Sequence, residues 1–563
     1  MIKIEETTPL KISGETSLLV SFPFNPSIKS VINGCSSYYY HPKTHLWEVP
    51  VTSLAYLLDN LVGYDSIDLQ LLPEDTTREH LSITLDYKIP PFDHQKEGIE
   101  FGLSHDHWLL LDEPGLGKTA QIIHIAEELK AQKGLKHCLI ICGLASLRAN
   151  WEKEIKKHSN LSSVVIGKKV TRNKTIRWAS QEERAAQLMQ PIDEFFIIIN
   201  IESIRYTSNK NKKNRNQILD ALLSTKNEIG MAVVDECHKC AGSNSQQSDG
   251  LLKLSKYPYK VGLTGTLLTN SPLSAYVPLK WIGVEHATLT KFKNQYCVFG
   301  GFGGHQIVGY KNIDLLKAEL DTCSLRRTKD IIDIPPKNVI NEYVEMSDKH
   351  REFYESIVNG VKEECDKIEL NSNSTLALST RLRQATSCPS VLTTNPVMSS
   401  KVERCCELVE NIVSQGDKVV ILSTFKEPIY QLEKLLKEYH PLIGTGDLRD
   451  DEVSDNVDKF QEDDYHKVFI ATTQKCGTGL TLNKARYLIM LDSPYTYAIW
   501  QQATDRIHRV NNTEPVFVYN LICENTIDEV VNQIVERKRA LSEFVVDDVN
   551  EHIDALRDYI LDL

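Results

Sequence analysis

The chain has 563 residues, a formal net charge of −12 and a charged fraction of 25%. This length exceeds what one hydrophobic core supports, so we expect about three or four domains. The negative charge argues against a protein that coats nucleic acid through bulk positive charge, although it leaves room for a local basic groove. The 13 cysteines are scattered and odd in number, which is unlike a secreted disulfide framework and fits a reducing compartment.

No apolar run approaches the ~18 to 20 residues of a membrane span, and the N-terminus lacks a charged-then-apolar signal pattern. We therefore expect no membrane association and a cytoplasmic protein, or a nuclear one if the source is eukaryotic. Two basic stretches, 168–177 and 210–215, are candidates for nucleic-acid contact, with plain surface charge as the alternative.

Residues 1–70 stand apart from the rest of the chain. Their pattern predicts a helix, a short hairpin around Trp47 and a leucine-rich helix that runs to Leu61. One interpretation is a generic α+β cap in which Trp47 belongs to the core.

A candidate phosphate loop, Asp-Glu-Pro-Gly-Leu-Gly-Lys-Thr, occupies residues 112–119 after an apolar run. Its glycines let the backbone turn tightly with N–H groups aimed inward, and apolar residues at helical spacing follow. Lys118 would place a charge on the terminal phosphates, and the Thr119 hydroxyl would be a magnesium ligand. The strict pattern asks for glycine where this chain has Asp112, so an ordinary strand-to-helix turn is the alternative. The loop predicts a nucleoside triphosphate.

Short apolar runs of strand length recur in two sets along the chain. They lie at 109–111, 138–142, 195–201 and 230–235, and then at 419–423, 468–472, 487–492 and 516–520. Longer polar or amphipathic segments separate them, which is typical of parallel sheets with crossover helices. Two α/β domains are implied. Between them, from about 270 to 400, the pattern is mostly helical, with a glycine-rich, hairpin-like turn at 300–304.

An acidic pair, Asp235-Glu236, ends the strand-like run at 229–234 and is followed by Cys-His. Asp235 would hold magnesium, usually through water, and Glu236 would orient and deprotonate the attacking water. An Asp-Glu pair alone often only marks a strand end, but the order strand–acid–acid–x–His favours function. Residues 237–240 also spell C-x-x-C; we reject a zinc or redox site because no second ligand pair lies nearby at suitable spacing.

Hydroxyl-bearing residues bracket a glycine at Thr264-Gly265-Thr266, after a short strand. Taken alone, this pattern is typical of a turn. Because it follows the Asp-Glu-x-His run, we expect the segment to couple hydrolysis to movement between lobes.

The late segment 501–509 contains Arg506 and Arg509, three residues apart. This spacing predicts a shared helix face, from which both could reach across an interface to stabilise charge on the γ-phosphate. The alternative is an exposed, salt-bridged helix. Upstream, residues 471–480 are rich in glycine and other small residues. We expect the backbone of this segment to approach the phosphates or the other lobe closely.

In combination, these motifs resemble the Swi/Snf-type group of superfamily-two helicase-like DNA translocases. The likeness covers roughly residues 89–540 and includes Asp112, because this group's loop typically reads Asp-Glu-x-Gly-x-Gly-Lys-Thr. His94-Gln95 matches the glutamine that reads adenine in the group. Residues 325–329 and 334–337, Leu-Arg-Arg-Thr-Lys and Ile-Pro-Pro-Lys, are similar to its connector between lobes.

The resemblance implies an α/β fold with two RecA-like parallel-sheet lobes, helical insertions and a small α+β N-terminal domain, with ATP and Mg²⁺ as cofactors. The implied catalytic residues are Lys118, Asp235, Glu236, Arg506 and Arg509. The implied nucleotide-binding residues are Gln95, Glu113, Gly115, Leu116, Gly117, Lys118, Thr119 and Gly479, and the implied metal ligands are Thr119 and Asp235. The implied DNA contacts are Ser146, Asn200, Thr264, Thr473 and Lys475.

Two segments depart from the group's pattern. The group usually carries Gly-Gln after the second arginine, whereas this chain has Val510-Asn511-Asn512. The expected Trp-Asn-Pro before the arginines is replaced by Ser493-Pro494-Tyr495. Both arginines stay in place, so we expect hydrolysis to be retained and its fine coupling to differ.

A second resemblance concerns the N-terminal segment. Residues 24–29 and 40–50, followed by the leucine-rich helix, are similar to the small HARP domain of annealing helicases. In that family the domain helps to recognise forked or branched DNA, which makes Trp47 a candidate for recognition of DNA structure.

These interpretations divide the chain into a HARP-like domain (1–70), a linker (71–88), lobe one (89–270), helical insertions with the inter-lobe connector (271–400) and lobe two with C-terminal helices (401–563). The expected protein is a monomeric, ATP-dependent double-stranded DNA translocase from a bacterium or phage. It would remodel forked or branched DNA in replication, recombination or repair. The alternatives are a strand-separating DNA or RNA helicase and a non-hydrolysing scaffold, which would not need all five catalytic residues.

Overall fold

The protein is described here by a computed structural model. The structure describes residues 2–7, 17–35, 38–61, 63–70, 81–143, 147–170, 176–206, 216–240, 242, 245–265, 267, 272–285, 287–300, 306–365, 372–395, 397–477, 480–509, 512–540 and 549–563. The chain forms two compact units. Unit 1 comprises Met1–Glu113 and Gly117–Thr328, and unit 2 comprises Pro114–Leu116 and Lys329–Leu563. Within the described ranges, none of the helices has the length and apolar content that a membrane span requires.

Unit 1 begins with a small α+β domain. Its elements are β1 (Ile2–Thr7), β2 (Ser17–Ser21), α1 (Pro26–Asn33), β3 (Tyr39–His41), β4 (Leu46–Pro50), α2 (Leu54–Leu61) and β5 (Ile67–Gln70). The strand order is β3-β4-β2-β1-β5, with β1 and β5 parallel and the other pairs antiparallel. Asn25 starts α1, because its Oδ1 accepts from the N–H of Ser27 at 2.9 Å. The predicted helix, hairpin and second helix are present, whereas β1, β2 and β5 had no predicted counterpart.

The remainder of unit 1 is an α/β lobe. Its elements are α3 (Asp93–Ser104), β6 (His107–Leu110), α4 (Lys118–Lys133), β7 (His137–Cys142), α5 (Leu147–His158), β8 (Ser163–Val165), β9 (Lys168–Val170), β10 (Ile176–Trp178), α6 (Gln181–Met189), β11 (Phe196–Asn200), α7 (Gln217–Ser224), β12 (Ile229–Asp235), α8 (Gln246–Lys253), β13 (Tyr259–Leu263), α9 (Tyr276–Ile282), α10 (Leu289–Tyr296), β14 (Cys297–Gly300), β15 (Gln306–Tyr310), α11 (Ile313–Cys323) and β16 (Ser324–Leu325).

The main sheet of this lobe has the strand order β16-β6-β13-β12-β7-β11-β8, and all of its described pairs are parallel. Every residue of β7 is buried, as expected for a strand covered on both faces. The register places Asp235 opposite Cys142 and Leu263, at the carboxyl ends of their strands. Functional groups of α/β sheets collect at this edge.

Two antiparallel hairpins accompany the sheet, β9 with β10 and β14 with β15. The second hairpin brackets the glycine-rich turn predicted at 300–304, of which residues 301–304 lie outside the described residues.

Unit 2 is a second α/β lobe. Its elements are β17 (Lys337–Val344), α12 (Asp348–Cys365), α13 (Ser372–Ser387), α14 (Ser400–Ser414), β18 (Val419–Ser423), α15 (Glu427–Leu435), β19 (Leu442–Gly444), α16 (Asp450–Glu462), β20 (Val468–Thr472), α17 (Thr473–Cys476), β21 (Tyr487–Met490), α18 (Tyr497–Thr504), β22 (Val516–Cys523), α19 (Ile527–Ala540) and α20 (Val549–Asp562). The parallel sheet has the order β17-β22-β21-β18-β20-β19.

The two parallel sheets and the small α+β domain confirm the predicted fold class. The strands predicted at 419–423 and 468–472 coincide with β18 and β20. By contrast, β17 lies in a region predicted to be mostly helical. It is an edge strand with mostly half-buried residues, so its sequence lacks the continuous apolar run that marks interior strands.

Candidate nucleotide-binding and catalytic site

The phosphate loop leaves β6 and ends where α4 begins at Lys118. Gly115 and Gly117 have φ values of +99° and +78°, which lie in the left-handed region that favours glycine. A Cβ at position 117 would lie 2.2 Å from Nε2 of Gln95. The loop therefore approaches the Gln95 side chain closely, and the N–H groups at the start of α4 can bind an anion.

Local hydrogen bonds orient the side chains of Gln95 and Lys118. The Oε1 atom of buried Gln95 accepts from the backbone N–H of Phe92 at 3.1 Å. The Nζ atom of Lys118 donates to the carbonyl oxygens of Asp112 at 2.6 Å and Glu113 at 3.3 Å. The predicted adenine-reading residue and the phosphate-binding lysine thus flank the same loop.

Asp112, the departure from the strict loop pattern, is fully buried. Its Oδ2 and Oδ1 atoms accept from Nη2 and Nε of Arg327 at 2.6 and 3.1 Å, and Oδ2 also accepts from Nε2 of Gln121 at 3.1 Å. A bidentate guanidinium contact of this kind is both strong and geometrically specific. Asp112 therefore binds a side chain of the connector, a partner that the sequence did not reveal.

The acidic pair lies at the end of β12. Oδ2 of Asp235 accepts from the indole N–H of Trp151 at 2.8 Å, and Oδ1 accepts from the backbone N–H of Glu236 at 3.0 Å. Burial and the adjacent Glu236 charge together raise the pKa of Asp235 to about 6. The bond between Trp151 and Asp235 was not predicted from the sequence.

Glu236 adopts a left-handed conformation with φ +53°, which is uncommon for a residue with a side chain. Such strain is concentrated at functional sites. Space for it is provided by Gly143, where a Cβ would lie 2.8 Å from that of Glu236. The carboxylate Oε2 lies 3.2 Å from Nδ1 of His238, which is also 2.9 Å from Oγ1 of Thr264. The predicted base and the Thr264 segment are therefore connected through one histidine.

The donor atoms at this site suit magnesium. Asp235, at the end of β12, and Thr119, in the first turn of α4, offer hard oxygen ligands. Burial and, after it, the Glu236 charge raise the pKa of Asp235, and both effects would be offset by a cation beside the carboxylate. Among the described residues, no group of three or more His, Cys, Asp and Glu side chains could hold a metal. A site with few protein ligands plus phosphate oxygens is the usual arrangement for Mg²⁺.

Arg506 and Arg509 do not share a helix face, so that prediction is wrong. Helix α18 ends at Thr504, and a turn follows. Beyond the end of the helix, the carbonyl of Arg506 accepts from the N–H of Leu482, and the carbonyl of Ile507 accepts from Nδ2 of Asn512.

The turn nevertheless aims both guanidinium groups at one loop of unit 2. Nη2 of Arg506 donates to the carbonyl of Gly477 at 2.8 Å, and Nη2 of Arg509 donates to that of Leu480 at 3.1 Å. The buried Nε of Arg506 has no hydrogen-bond partner among the described residues. Gly479, a predicted nucleotide contact in this loop, lies outside them.

Asp505, next to the first arginine, is buried in unit 2. It accepts from Nζ of Lys329 at 2.7 Å and from Nζ of Lys337 at 3.0 Å. Burial alone would raise the pKa of Asp505, but these two charges outweigh it and lower the pKa to about 2. The connector sequence is thus bound to the arginine segment, a contact that is reinforced by His508, whose Nε2 lies 2.8 Å from the carbonyl of Pro335.

The segment that replaces Trp-Asn-Pro surrounds Arg383, a buried residue that the sequence did not single out. Its Nη2 donates to the carbonyl of Ser493 and to Oδ1 of Asp492, the latter at 3.4 Å, and its guanidinium carbon lies 4.4 Å from the ring centre of Tyr495. The segment that departs from the group's pattern therefore gives Arg383 an aromatic contact within unit 2.

The predicted DNA-contact residues are held by local bonds. Asn200 bonds to Glu202 and Ser203, at 2.6 and 2.5 Å. Thr264 and Thr473 are buried, and Lys475 is half-buried in α17. Ser146 lies outside the described residues, as does Thr266 of the segment predicted to couple hydrolysis to movement. A DNA contact for any of these positions stays a prediction.

Two lysines of the basic stretch 168–177 are paired with acidic neighbours, and residues 171–175 of the stretch lie outside the described residues. Lys168 pairs with Glu152, and Nζ of Lys169 lies 2.6 Å from Glu183. These pairs favour plain surface charge over nucleic-acid contact. The second basic stretch, 210–215, lies outside the described residues.

In the N-terminal domain, Trp47 is half-buried within an aromatic group. Its ring centre lies 4.8 Å from that of Tyr40 and 5.9 Å from that of Tyr38, and Nζ of Lys29 is 6.0 Å away. Tyr40 is 38% exposed, so part of this group faces solvent.

Comparison with known proteins gives the following matches. Residues 94–391 match the SNF2-related domain, and residues 400–511 match the Helicase conserved C-terminal domain. An uncharacterized ATP-dependent helicase of Mycoplasma pneumoniae is 26% identical over 91% of this chain and 48% of its own length. The DNA repair and recombination protein RAD54-like of Drosophila ananassae is 26% identical over 81% of this chain and 62% of its own length.

A solved structure, the Sulfolobus solfataricus SWI2/SNF2 ATPase core in complex with double-stranded DNA, is 23% identical, with a TM-score of 0.36 and coverage of 82% of this chain and 93% of that one. The chain spans about half the length of the curated relatives it matches. The SNF2-related domain alone accounts for more than half of the residues. The chain therefore belongs to the SNF2-related family of helicase-like proteins.

Proposed function

We propose that this protein hydrolyses ATP and uses the energy to translocate along double-stranded DNA. The observation that carries the proposal is the arrangement at the carboxyl edge of the first lobe's sheet. There, the Lys118 loop and the Asp235–Glu236 pair follow β6 and β12, strands of the same sheet, and the charge of Lys118 acts on Asp235. A phosphate-binding loop beside an acidic pair is the arrangement that phosphoryl transfer requires.

Each residue has a distinct role in the proposed hydrolysis. Gln95 contacts the base, while Lys118 and the N–H groups at the start of α4 hold the phosphates. Glu236 takes a proton from the attacking water, and His238 keeps the Glu236 carboxylate oriented. Arg506 and Arg509 stabilise the charge that develops on the transferred group. Asp235 and Thr119 would hold Mg²⁺, which would shield the phosphate charge.

The DNA substrate is supported by the family and by the names of relatives, which include a helicase and a DNA repair and recombination protein. The proposed outcome is remodelling of forked or branched DNA by branch migration, fork regression or annealing. The alternative, a scaffold without hydrolysis, is disfavoured. A protein that only binds a partner would not require the strained, left-handed backbone that Glu236 adopts beside Asp235.

The test is an ATPase assay with linear duplex, single-stranded, forked and four-way DNA and with RNA, alongside displacement of a triplex-forming strand from duplex. We expect duplex-containing DNA to stimulate phosphate release and triplex displacement to require ATP. Lys118→Ala should remove both activities, because it deletes the charge on the phosphates. Phosphate release unaffected by Lys118→Ala would exclude an enzyme of this kind, and stimulation by single strands or RNA alone would favour a strand-separating helicase.

We further propose that the N-terminal domain recognises DNA structure through the aromatic group around Trp47. Aromatic rings beside a lysine can stack with exposed bases. Deleting residues 1–70, or replacing Trp47 with Leu to keep apolar packing, should lower activity on forked DNA more than basal ATPase. Tyr64→Leu, at a 48% exposed position of the same domain, is the matched control. An unchanged ratio of fork to linear-duplex activity in both the deletion variant and Trp47→Leu would contradict this role.

A further inference from the structure

The connector, residues 324–337, is joined to the phosphate loop by backbone hydrogen bonds. Its first residues, Ser324–Leu325, form β16, which runs parallel to β6 at the edge of the first lobe's sheet. The N–H of Leu111 donates to the carbonyl of Leu325 at 2.8 Å, and the N–H of Glu113 donates to that of Arg327 at 3.0 Å. These two bonds lie on either side of Asp112, so the connector and the start of the loop share one stretch of sheet.

A single side chain extends this connection into the nucleotide site. The guanidinium of Arg327 binds Asp112 with two nitrogen atoms, donates to Oε1 of Gln121 at 2.8 Å and donates to the carbonyl of His94. These partners belong to the loop, to α4 and to the residue before Gln95. Arg327 is 9% exposed and Asp112 is fully buried, so the pair is shielded from water.

The surrounding sequence makes room for this network. A Cβ at Gly98 of α3 would lie 1.8 Å from Oε1 of Gln121 and 2.8 Å from Nη2 of Arg327. Glycine at this position therefore allows the amide and the guanidinium to pass close to α3. The planar guanidinium of Arg327 donates in three directions, to Asp112, to Gln121 and to the carbonyl of His94. A lysine ammonium could not match this geometry.

The same connector is bound in unit 2 by a second buried aspartate. Lys329, two positions after Arg327, contacts Asp505 at 2.7 Å and donates to the carbonyl of His508 at 3.0 Å. Asp505 precedes Arg506 in the sequence. Each end of this short stretch is thus tied to a residue beside a catalytic motif: Arg327 to the phosphate loop within unit 1, and Lys329 to the arginine segment within unit 2.

We infer that Arg327 is a positioning residue that links the connector to the phosphate loop through Asp112, so that stimulation of ATP hydrolysis by duplex DNA depends on this pair. The inference rests on the function proposed above. In the strict phosphate-loop pattern the position of Asp112 is a glycine. In this chain its carboxylate instead binds Arg327 of the connector. A change in the connector's path would shift the loop, and small displacements of catalytic groups have large effects on rate.

A purely structural ion pair is the competing explanation. Buried ion pairs contribute little net stability over well-packed apolar residues, and removing one partner leaves the other charge uncompensated. Loss of a structural pair would lower thermal stability and all activities together. Loss of a positioning pair would lower the ratio of duplex-stimulated to basal ATP hydrolysis while nucleotide binding is retained.

The experiment compares Arg327→Lys, Asp112→Asn and the double variant in the full chain. Arg327→Lys keeps a positive charge beside Asp112, so it is the variant that is safest for folding. Arg404→Gln is the matched control, because Arg404 makes a similar two-nitrogen contact with Glu342, at 2.9 and 2.8 Å, on the surface of unit 2. ATP affinity, basal kcat, duplex-stimulated kcat and melting temperature are measured for each protein.

We expect both single variants to keep ATP affinity within about threefold of wild type and to lose about tenfold or more of the duplex stimulation. The double variant should lose no more than the worse single variant, because the two residues act as one unit. Stimulation that is unchanged in both single variants, or losses that multiply in the double variant, would overturn the inference.

A second measurement does not depend on catalysis. Hydrogen exchange at the amides of Leu111 and Glu113 should become faster in Asp112→Asn, and an ATP analogue should protect the connector amides of wild type but not of Arg327→Lys. If wild type shows no duplex stimulation, the proposed function fails, whereas these exchange rates still decide whether Arg327 links the connector to the loop. Unchanged exchange in both variants counts against the link.

Discussion

Replacing Glu236 with glutamine should reduce duplex-stimulated ATP hydrolysis by about 100-fold or more, the effect typical of removing a general base. ATP affinity should stay within about threefold of wild type, because Glu236 acts on water rather than on the nucleotide. The side chain keeps its size, and its contact with Nδ1 of His238, at 3.2 Å in the wild type, can persist through the amide oxygen. Single-turnover phosphate release and binding of a fluorescent ATP analogue separate the two effects.

The same variant should change the pH dependence of magnesium binding. Burial and the Glu236 charge raise the pKa of Asp235 to about 6, so the wild type should lose the carboxylate proposed to bind Mg²⁺ as pH falls through that value. Removing the Glu236 charge lowers the pKa of Asp235, and the loss should move to more acidic pH. Titration of Mg²⁺ at several pH values measures this shift.

Glu228→Gln is the matched control for both measurements, because Glu228 is exposed just before β12. It should behave as wild type in turnover and in metal binding. Substantial turnover by Glu236→Gln would assign the base to another residue, and an unchanged pH dependence would separate Glu236 from Asp235.

The sequence predicted the parts of this protein that depend on local pattern. Interior strands such as β18 and β20 are covered on both faces, so their sequences are continuous apolar runs. The glycines of the phosphate loop are required because the backbone has positive φ values there. The edge strand β17 escaped prediction because a half-exposed strand has a mixed composition. The turn at Arg506 and Arg509 was not predicted because one of its hydrogen bonds, from the N–H of Leu482 to the carbonyl of Arg506, joins residues that are distant in sequence.

Partners distant in sequence account for the remaining unpredicted features of the site. Trp151 bonds to Asp235, and Arg327 bonds to Asp112, across separations that no spacing rule covers. Asp112 matches the loop that is typical of the group, but the sequence shows neither its burial nor its partner. In the structure the carboxylate is fully buried, and Arg327 supplies the compensating charge that a buried carboxylate needs.

Replacing Arg506 with alanine should lower duplex-stimulated ATP hydrolysis by about 1,000-fold, the magnitude associated with a transition-state arginine. The buried Nε of Arg506 lacks a hydrogen-bond partner among the described residues, although Nη2 is fixed by the carbonyl of Gly477 at 2.8 Å. Arg506→Lys keeps the charge but loses the planar fork, so it should restore only part of the rate.

The comparison requires a control that changes a guanidinium elsewhere in the same lobe. Arg486→Lys serves this purpose, because Arg486 is partly exposed and pairs with Glu514 at 2.6 Å. It should leave turnover unchanged, and all three variants should bind ATP with similar affinity, because the contribution of Arg506 is made in the transition state. Equal turnover by Arg506→Ala and wild type would remove Arg506 from the mechanism. If the dissociation constant for ATP rose by as much as kcat fell, Arg506 would instead contribute to binding of ATP in the ground state.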